Sequence, residues 1–270
     1  MVQNHLIIGA GNMGGALLSS WLNSGNVNAR NLAILDPKPG VEAVYAIERG
    51  AKHLADFDDI PRTIKTVLLA VKPLMFSQIR RPLAEAISDD VLIISIMAGI
   101  TTDALKAAFP GAKIVRAMPN TPATLGKGVI TYVADADLEA EKIAIIESLF
   151  DKNGKIIRIE SDALINAATA VSVSGPAYVF HLCEALSKAA QSMGLSPEMS
   201  DILARESIIG ASAMLETSDR SATELREAET SPGGKTQAAL DVLMNIEDGQ
   251  GQLMRRAMKA AIDRAKELSD

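Results

Sequence analysis

Two short stretches of this sequence put glycines and free main-chain N–H groups where an anion can reach them. The first is Gly9-Ala10-Gly11-Asn12-Met13-Gly14, which follows the apolar run His5-Leu6-Ile7-Ile8 and leads at once into an amphipathic helical pattern. The second is Ser231-Pro232-Gly233-Gly234-Lys235-Thr236, which opens a helical pattern towards the other end of the chain. Strand, glycine turn and helix, in that order, are the context a dinucleotide fingerprint requires. Gly9 permits the tight turn, Gly11 lets the main chain approach a pyrophosphate, and Gly14 allows the helix to pack on its strand. The N–H groups at the helix start, with the positive end of its dipole, then face the phosphates. An ordinary strand–helix turn is the plainer alternative, and the correct flank on each side favours the nucleotide.

An acidic residue is due some twenty positions later, at the end of the second strand, to hold the ribose. Leu32-Ala33-Ile34-Leu35-Asp36 supplies it. A bare carboxylate there suits NADH and repels the extra phosphate of NADPH, while Lys38 nearby softens that repulsion. Asp36 equally fits a simpler role, opening the turn at Pro37-Lys38-Pro39. The cofactor is expected to be NADPH or NADH, with a lean to NADH from Asp36.

The second stretch ends like a P-loop, but the first glycine of that motif would fall on Glu229 and no strand precedes it. Capture of a substrate carboxylate by the helix-start N–H groups, with Ser231 or Thr236 adding a side-chain donor, is one reading. A helix closed by a Pro-Gly turn is the other, and the residues alone leave both open.

Strong acids and bases are scarce elsewhere. His5, His53 and His181 are the only histidines; the first falls in a strand, the second in an expected surface segment, the third in a helix. None is paired by spacing with a carboxylate or serine, and no metal-ligand spacing or Gly-x-Ser-x-Gly elbow occurs. Reduction of a protonated imine suits such a set: the nitrogen already carries its proton, so the protein has to position the ring and bind its carboxylate. An alcohol dehydrogenase would want a His, Lys or Tyr as base.

The elements that must position these loops alternate through the first part of the chain. Strand patterns fall at 5–9, 32–36, 66–71, 91–96 and 113–118, with later candidates at 128–133 and 155–159. Most are continuous β-branched runs, as in strands covered on both faces. Helical patterns fill the gaps near 12–24, 40–49, 77–87, 102–108 and 137–150. The expected fold is an α/β, Rossmann-type doubly wound parallel sheet, whose ligands sit beyond the carboxyl ends of the strands. There lie Ala70-Val71-Lys72-Pro73, Met97-Ala98-Gly99 and Met118-Pro119-Asn120-Thr121-Pro122, on the same edge as the glycine turn. From about residue 162 helical periodicity takes over: Ser174-Gly175-Pro176 separates two helices, Gly194 ends the second, and further helices are expected at 198–216, after Ser221, after Lys235 and at about 251–268. The domains are expected at 1–161, binding the dinucleotide, and 162–270, all helical.

With 270 residues, 27 basic and 33 acidic side chains and a net charge of −6, the chain has no basic stripe, so nucleic acid is not an expected partner. No run is read as long enough to cross a bilayer, and no charged segment followed by an apolar one opens the sequence. The expectation is a soluble cytoplasmic protein without a membrane partner. Cys183, the single cysteine, is expected in a core.

Taken together, these motifs resemble the pyrroline-5-carboxylate reductases nearly end to end. Gly9–Gly14 matches that family's nucleotide loop, and Val71-Lys72-Pro73 and Arg116-Ala117-Met118-Pro119-Asn120-Thr121-Pro122-Ala123 its two cleft loops. Val171-Ser172-Val173-Ser174-Gly175-Pro176-Ala177-Tyr178 and Ser231–Thr236 resemble its later signatures. The resemblance implies hydride transfer to a cyclic imine, 1-pyrroline-5-carboxylate, giving L-proline. It implies a helical dimerisation domain, a homodimer or higher oligomer, and an active site shared between two subunits. It places the substrate carboxylate on Ser231, Gly233, Gly234 and Lys235, the ring nitrogen on Thr236, and an ordering carboxylate at Asp219. Lys72, Met118, Pro119 and Asn120 would border the nicotinamide and its ribose. Four residues depart from the family pattern: Val173 in place of glycine, Lys235 in place of a small or hydroxyl residue, Glu229 in place of an apolar one, and Asp36 in place of a neutral one.

Two other functions fit parts of the chain. A related imine or β-hydroxyacid reductase shares the two-domain plan, but Ala167–Ser174 lacks the lysine such enzymes carry there. A nucleotide-sensing protein without turnover would accommodate Lys235 and Glu229. A deazaflavin-linked NADP reductase shares the nucleotide loop and leaves Ser231–Thr236 unexplained. The small, apolar helices of the second half cannot all bury their faces within one chain, which by itself predicts a homo-oligomer.

Overall fold

The structure is a computed structural model and describes residues 4–267. Its contacts form two compact units, one reaching to Val173 and taking in the chain again from Ile262, the other Ser174–Ala261. The first unit runs β1 (His5–Ile8), α1 (Asn12–Ser24), β2 (Leu32–Leu35), α2 (Val41–Glu48), β3 (Lys52–Leu54), β4 (Thr66–Leu69), α3 (Phe76–Ala86), β5 (Leu92–Ser95), α4 (Thr102–Ala108), β6 (Lys113–Pro119), β7 (Gly128–Ala134), α5 (Ala140–Phe150), β8 (Gly154–Arg158) and α6 (Asp162–Ser172). The eight strands lie in one sheet, ordered β3-β2-β1-β4-β5-β6-β7-β8.

The central strands of this sheet, β1, β2, β4 and β5, are mostly apolar because both faces are covered. Ile7, Ile34, Leu68 and Ile94 enter one core with Leu17, Leu18 and Trp21 of α1 and Phe150 of α5. Leu6, Ile8, Val67, Leu69 and Ile93 enter the other with Leu83 of α3 and Phe109. Trp21 joins α1 to α5, being 2% exposed and donating from Nε1 to the Leu149 carbonyl at 2.6 Å. Trp21→Ala is expected to lower unfolding free energy by about 3–5 kcal/mol, the usual range for an aromatic deleted from a core. A urea titration reads the change directly.

Two features of the sheet depart from the sequence expectation. His53 is exposed, as its placing in a surface segment expects, but it lies in strand β3, which was not expected. That strand is short and polar because it closes an edge and pairs only with β2. Strand β7 runs antiparallel to β6, while every other pair is parallel. Only a short 3-10 turn, Thr121–Leu125, joins β6 to β7, too little chain for the crossover a parallel pair needs. The helix expected at 137–150 begins at Ala140.

His5 is shielded, its Nδ1 is buried without a partner, and that burial lowers its pKa. A lowered histidine pKa means the unfolded chain binds the extra proton first. Stability attributable to His5 is therefore full above its unfolded value of about 6.5 and declines as pH falls through that value towards the folded one. His5→Gln should flatten the stability profile between pH 5 and 7, measured as urea midpoints.

The second unit holds α7 (Gly175–Ser192), α8 (Pro197–Thr217), α9 (Ala222–Ala228), α10 (Lys235–Leu243) and most of α11 (Gln250–Glu267). The expected end of the last helix, residue 268, lies outside the described residues. Helices α7 and α8 pack as a hairpin, and Ser187 hydrogen-bonds Asp201 between them. Large apolar side chains remain outside: Phe180 is 70% exposed, Met193 83%, Ile202 55% and Ile209 53%. Cys183 is half-buried and lines the groove between α7 and α8, so it is not a core residue. His181, expected to be unpaired, lies 3.6 Å from Glu184 one helical turn on, both exposed. Asp162–Ser192, taken as one run, is long and apolar enough to cross a membrane, which corrects the expectation that no such run exists. The backbone breaks it into α6 and α7, and Ile165 and Ala170 of α6 are buried in protein.

Candidate cofactor and substrate sites

The carboxyl ends of the parallel strands bring most of the expected cofactor residues to one edge of the sheet. Gly9 follows β1 with φ of 88°, a left-handed conformation that disfavours any side chain. A Cβ on Gly9 would lie 2.8 Å from Val71 Cγ1 and 2.9 Å from the Ala70 main chain. One on Gly14 would lie 2.2 Å from the Gly9 carbonyl oxygen and 3.0 Å from Ala70 Cβ. Ala70 and Val71 thus set the shape of the glycine turn by packing on it. Gly11 differs: a Cβ there meets nothing within 4 Å.

Gly11 is the N-cap of α1 and supplies no side-chain cap, so the first N–H groups of the helix, including those of Asn12 and Met13, have no intrahelical acceptor. Open space over Gly11, beside unpaired donors, is the room a pyrophosphate needs, and the residues present fit a dinucleotide. A groove of about 630 Å³ runs from this loop along α1, lined by Gly11, Asn12, Ser19, Ser20, Thr124 and Lys152 among others.

Asp36 is tied to the same loop. Its Oδ2 accepts the Ala10 N–H at 2.6 Å, its Oδ1 accepts the Lys38 N–H at 2.8 Å, and its carbonyl lies 3.0 Å from His53 Nε2. Asp36 therefore opens the Pro37-Lys38-Pro39 turn, as one of its two sequence readings has it, and also ties that turn to the glycine loop. The bond to Ala10 spans 26 positions and was not visible in the sequence.

Lys72 is exposed at the start of a short turn that begins at Pro73. Met118 is 6% exposed and packs with Val133 and Ile165, so its side chain belongs to a small core behind the edge. Pro119 ends β6 and is buried. Asn120 is 6% exposed and bonded in two directions, donating to the Ser172 carbonyl at 2.8 Å and accepting from the Val129 N–H at 2.9 Å.

A buried ion pair lies behind this loop. Arg116, with its side chain 2% exposed, meets Asp162 at 2.6 Å, and its Nη2 donates to Asn166 Oδ1 at 3.2 Å. Asp162 Oδ2 also accepts the Thr102 N–H at 2.8 Å and the Thr102 hydroxyl at 2.6 Å. Burial works to raise the Asp162 pKa, but the hydrogen bonds from Thr102 and Arg116 outweigh it and hold the carboxyl below its ordinary range. Sequence reasoning missed Asp162 and Asn166. A lone Asp before an apolar helix reads as a first-turn residue, and nothing local announces an arginine 46 positions away.

In the second unit, Ser231–Thr236 folds as a tight turn into α10. Gly233 has φ of 70°, the Gly234 N–H donates to the Ser231 carbonyl at 2.9 Å, and Gly234 is the N-cap. No side chain caps α10, and Ser231, Lys235 and Thr236 are exposed around its start. The first N–H groups of α10 therefore have no side-chain acceptor. Asp219 is exposed in the bend before α9, away in sequence from this turn. Val173, where the resemblance expects glycine, sits at φ −83°, an ordinary right-handed conformation that needs none. Glu229 ends α9 and is exposed.

Comparison with known proteins accounts for both units. Residues 162–268 match the family model for pyrroline-5-carboxylate reductase dimerisation, and residues 6–99 match that for NADP oxidoreductases described as coenzyme F420-dependent. A pyrroline-5-carboxylate reductase of Pseudomonas aeruginosa is 35% identical over 271 residues, covering 97% of this chain and 96% of its own. The chain belongs to the pyrroline-5-carboxylate reductase family. Among solved structures, the pyrroline-5-carboxylate reductase of Coxiella burnetii superposes with a TM-score of 0.89 at 30% identity, covering all of both chains. The Plasmodium falciparum pyrroline carboxylate reductase, solved with NADP bound, gives 0.82 at 27% identity over 99% of this chain and 98% of that one. Within a pyrroline-5-carboxylate reductase, the exposed apolar faces of α7 and α8 have an explanation: they lie in the region matched by the dimerisation model.

Proposed function

We propose that this chain reduces 1-pyrroline-5-carboxylate to L-proline, taking hydride from NADH or NADPH. The observation that carries the reading is the pairing of two uncapped helix starts, α1 with open space over Gly11 and α10 behind its glycine turn, in a chain similar to such reductases along its whole length. When bound, the nicotinamide cofactor supplies the hydride. Gly9, Ala10, Gly11, Asn12, Met13 and Gly14 hold its pyrophosphate, Asp36 its adenosine ribose, and Ala70, Val71, Lys72, Pro73, Met118, Pro119 and the main chain of Asn120 border the rest. The substrate carboxylate is held by the α10 start, through Ser231, Gly233, Gly234 and the charge of Lys235. The Thr236 hydroxyl orients the ring nitrogen, and Asp219 helps order the loop. The domains divide at 161/162, the nucleotide domain first and the helical one after it. The chain acts in the cytoplasm as a homodimer or larger assembly, its apolar helix faces covered by a second copy of itself rather than by lipid.

Loss of nicotinamide absorbance on adding pyrroline-5-carboxylate, with each cofactor in parallel, tests the reading. Turnover supports it; tight cofactor binding with no turnover under either cofactor overturns it. Light scattering at micromolar concentration is expected to give at least a dimer mass, and a strict monomer would contradict the assembly.

The charge of Asp36 beside the ribose favours NADH. Asp36→Ser is expected to narrow the NADH-to-NADPH ratio of kcat/KM. Because the bond to Ala10 goes with the carboxylate, it should also lower unfolding free energy by about 1.5–3 kcal/mol, the range for a hydrogen bond to a charged group, which a urea titration reads. Steady-state kinetics with both nucleotides reads the ratio.

A further inference from the structure

We propose that Asn120 and Arg116 are positioning residues that fasten α6 behind the cofactor-bordering loop, and that the Asn120 side chain serves this purpose rather than contact with the cofactor. The proposal rests on the reductase reading above. Helix α6 is held at both ends by residues of one strand and the loop that follows it. At its start, Arg116 of β6 reaches Asp162 and Asn166. At its end, Asn120 Nδ2 donates to the carbonyl of Ser172, the last residue of the helix. The last carbonyls of a helix have no intrahelical donor, so Asn120 acts as its cap. Its Oδ1 simultaneously accepts from the Val129 N–H, closing the turn between β6 and β7.

Between these two fastenings lies the segment Ala117-Met118-Pro119. Met118 packs with Ile165 of α6 and Val133 of β7, so α6 is the backing of the segment. Arg116 Nε is buried without a partner, and among the described residues Asp162 and Asn166 hold the guanidinium in place. Were α6 to shift, Met118 and Pro119 would lose their support, and the nicotinamide resting on them would move against the imine carbon. Displacements on the scale of an ångström cost hydride-transfer steps heavily.

The decisive variant is Asn120→Asp, which keeps the acceptor for Val129 and replaces the donor to Ser172 by a carboxylate oxygen. Its kcat is expected to fall at least about tenfold, while the dissociation constant for cofactor, read by nicotinamide fluorescence on the substrate-free protein, stays within about twofold. A cofactor-contacting Asn120 would give the reverse, a dissociation constant raised tenfold with kcat at saturating cofactor preserved, and that result overturns the proposal. So does a variant in which neither quantity moves. Should Asn120→Asp fail to show a cooperative melt, Asn166→Ala decides, since it leaves the Arg116–Asp162 pair in place. It is expected to lower kcat by about threefold with cofactor affinity unchanged, and an unchanged kcat contradicts the account. Absence of turnover in the unmodified protein would instead reject the reductase reading and is distinguishable from all of these.

Discussion

Gly11→Ala and Gly14→Ala both lose cofactor affinity, and only Gly14→Ala also loses stability. The difference follows from what a methyl group meets at each position. At Gly14 it would lie 2.2 Å from the Gly9 carbonyl oxygen, a main-chain atom in the turn that cannot swing aside. The helix start must move off its strand, an overpacking expected to cost about 1–3 kcal/mol of stability. The displaced turn no longer presents the α1 donors to the pyrophosphate. At Gly11 the methyl group meets nothing within 4 Å in the protein and leaves the melting temperature unchanged. It fills the space that the pyrophosphate enters, so the dissociation constant for NADH or NADPH should rise about a hundredfold, near 2.7 kcal/mol. Thermal melts and fluorescence titrations of the two variants, side by side, check the contrast. A Gly11→Ala protein that binds cofactor normally would mean that the phosphates do not pass there.

Asp162→Ala should be the most destabilising single change in the ion-pair network. It leaves the Arg116 guanidinium, 2% exposed, facing a void, and strips both Thr102 donors of their acceptor. Breaking a buried pair by removing one partner typically costs about 3–5 kcal/mol, because the remaining charge is left uncompensated. Asp162 itself keeps some contact with solvent, which draws the expectation to the lower end of that range. The pH dependence has a definite sign. The folded carboxyl titrates below its ordinary value of about 3.9, so the unfolded state takes up the proton first. The stability it contributes is complete above that value and is lost as pH falls through the lower, folded one. Urea midpoints for the unmodified protein and Asp162→Asn between pH 2.5 and 7 should differ most at neutral pH and converge in acid.

Much of the first unit was legible because its physics is local. Strands buried on both faces are largely apolar along their length, and β1, β2, β4 and β5 announce themselves that way. The glycine turn is equally legible, since no residue with a side chain fits at Gly9 or Gly14. What escaped depends on partners distant in sequence or on an exception to burial. Strand β3 lies on an edge and is polar at Lys52 and His53. The reversal of β7 was within reach, because the chain between Asn120 and Gly128 has no room for a crossover helix. Asp36 stood out in the sequence, yet its bond to Ala10 links two strand ends and has no local signature. The same is true of Arg116 with Asp162 and of Asn120 with Ser172, which only the folded sheet brings together. In the second unit, Ser231–Thr236 showed its turn but not whether the helix start was capped; the absence of any side-chain cap on α10 came from the structure.

Reduction of pyrroline-5-carboxylate by the Thr236→Ala and Ser231→Ala variants, set against the unmodified protein, tests the central claim most directly. The account predicts turnover of the cyclic imine by the unmodified chain. It predicts that Ser231→Ala acts mainly by raising the substrate KM, and that Thr236→Ala lowers kcat by about tenfold to a hundredfold, with cofactor affinity unchanged in both. Full activity in both variants would contradict the assignment of the α10 start as the substrate site, and no turnover in the unmodified chain would contradict the proposed reaction itself.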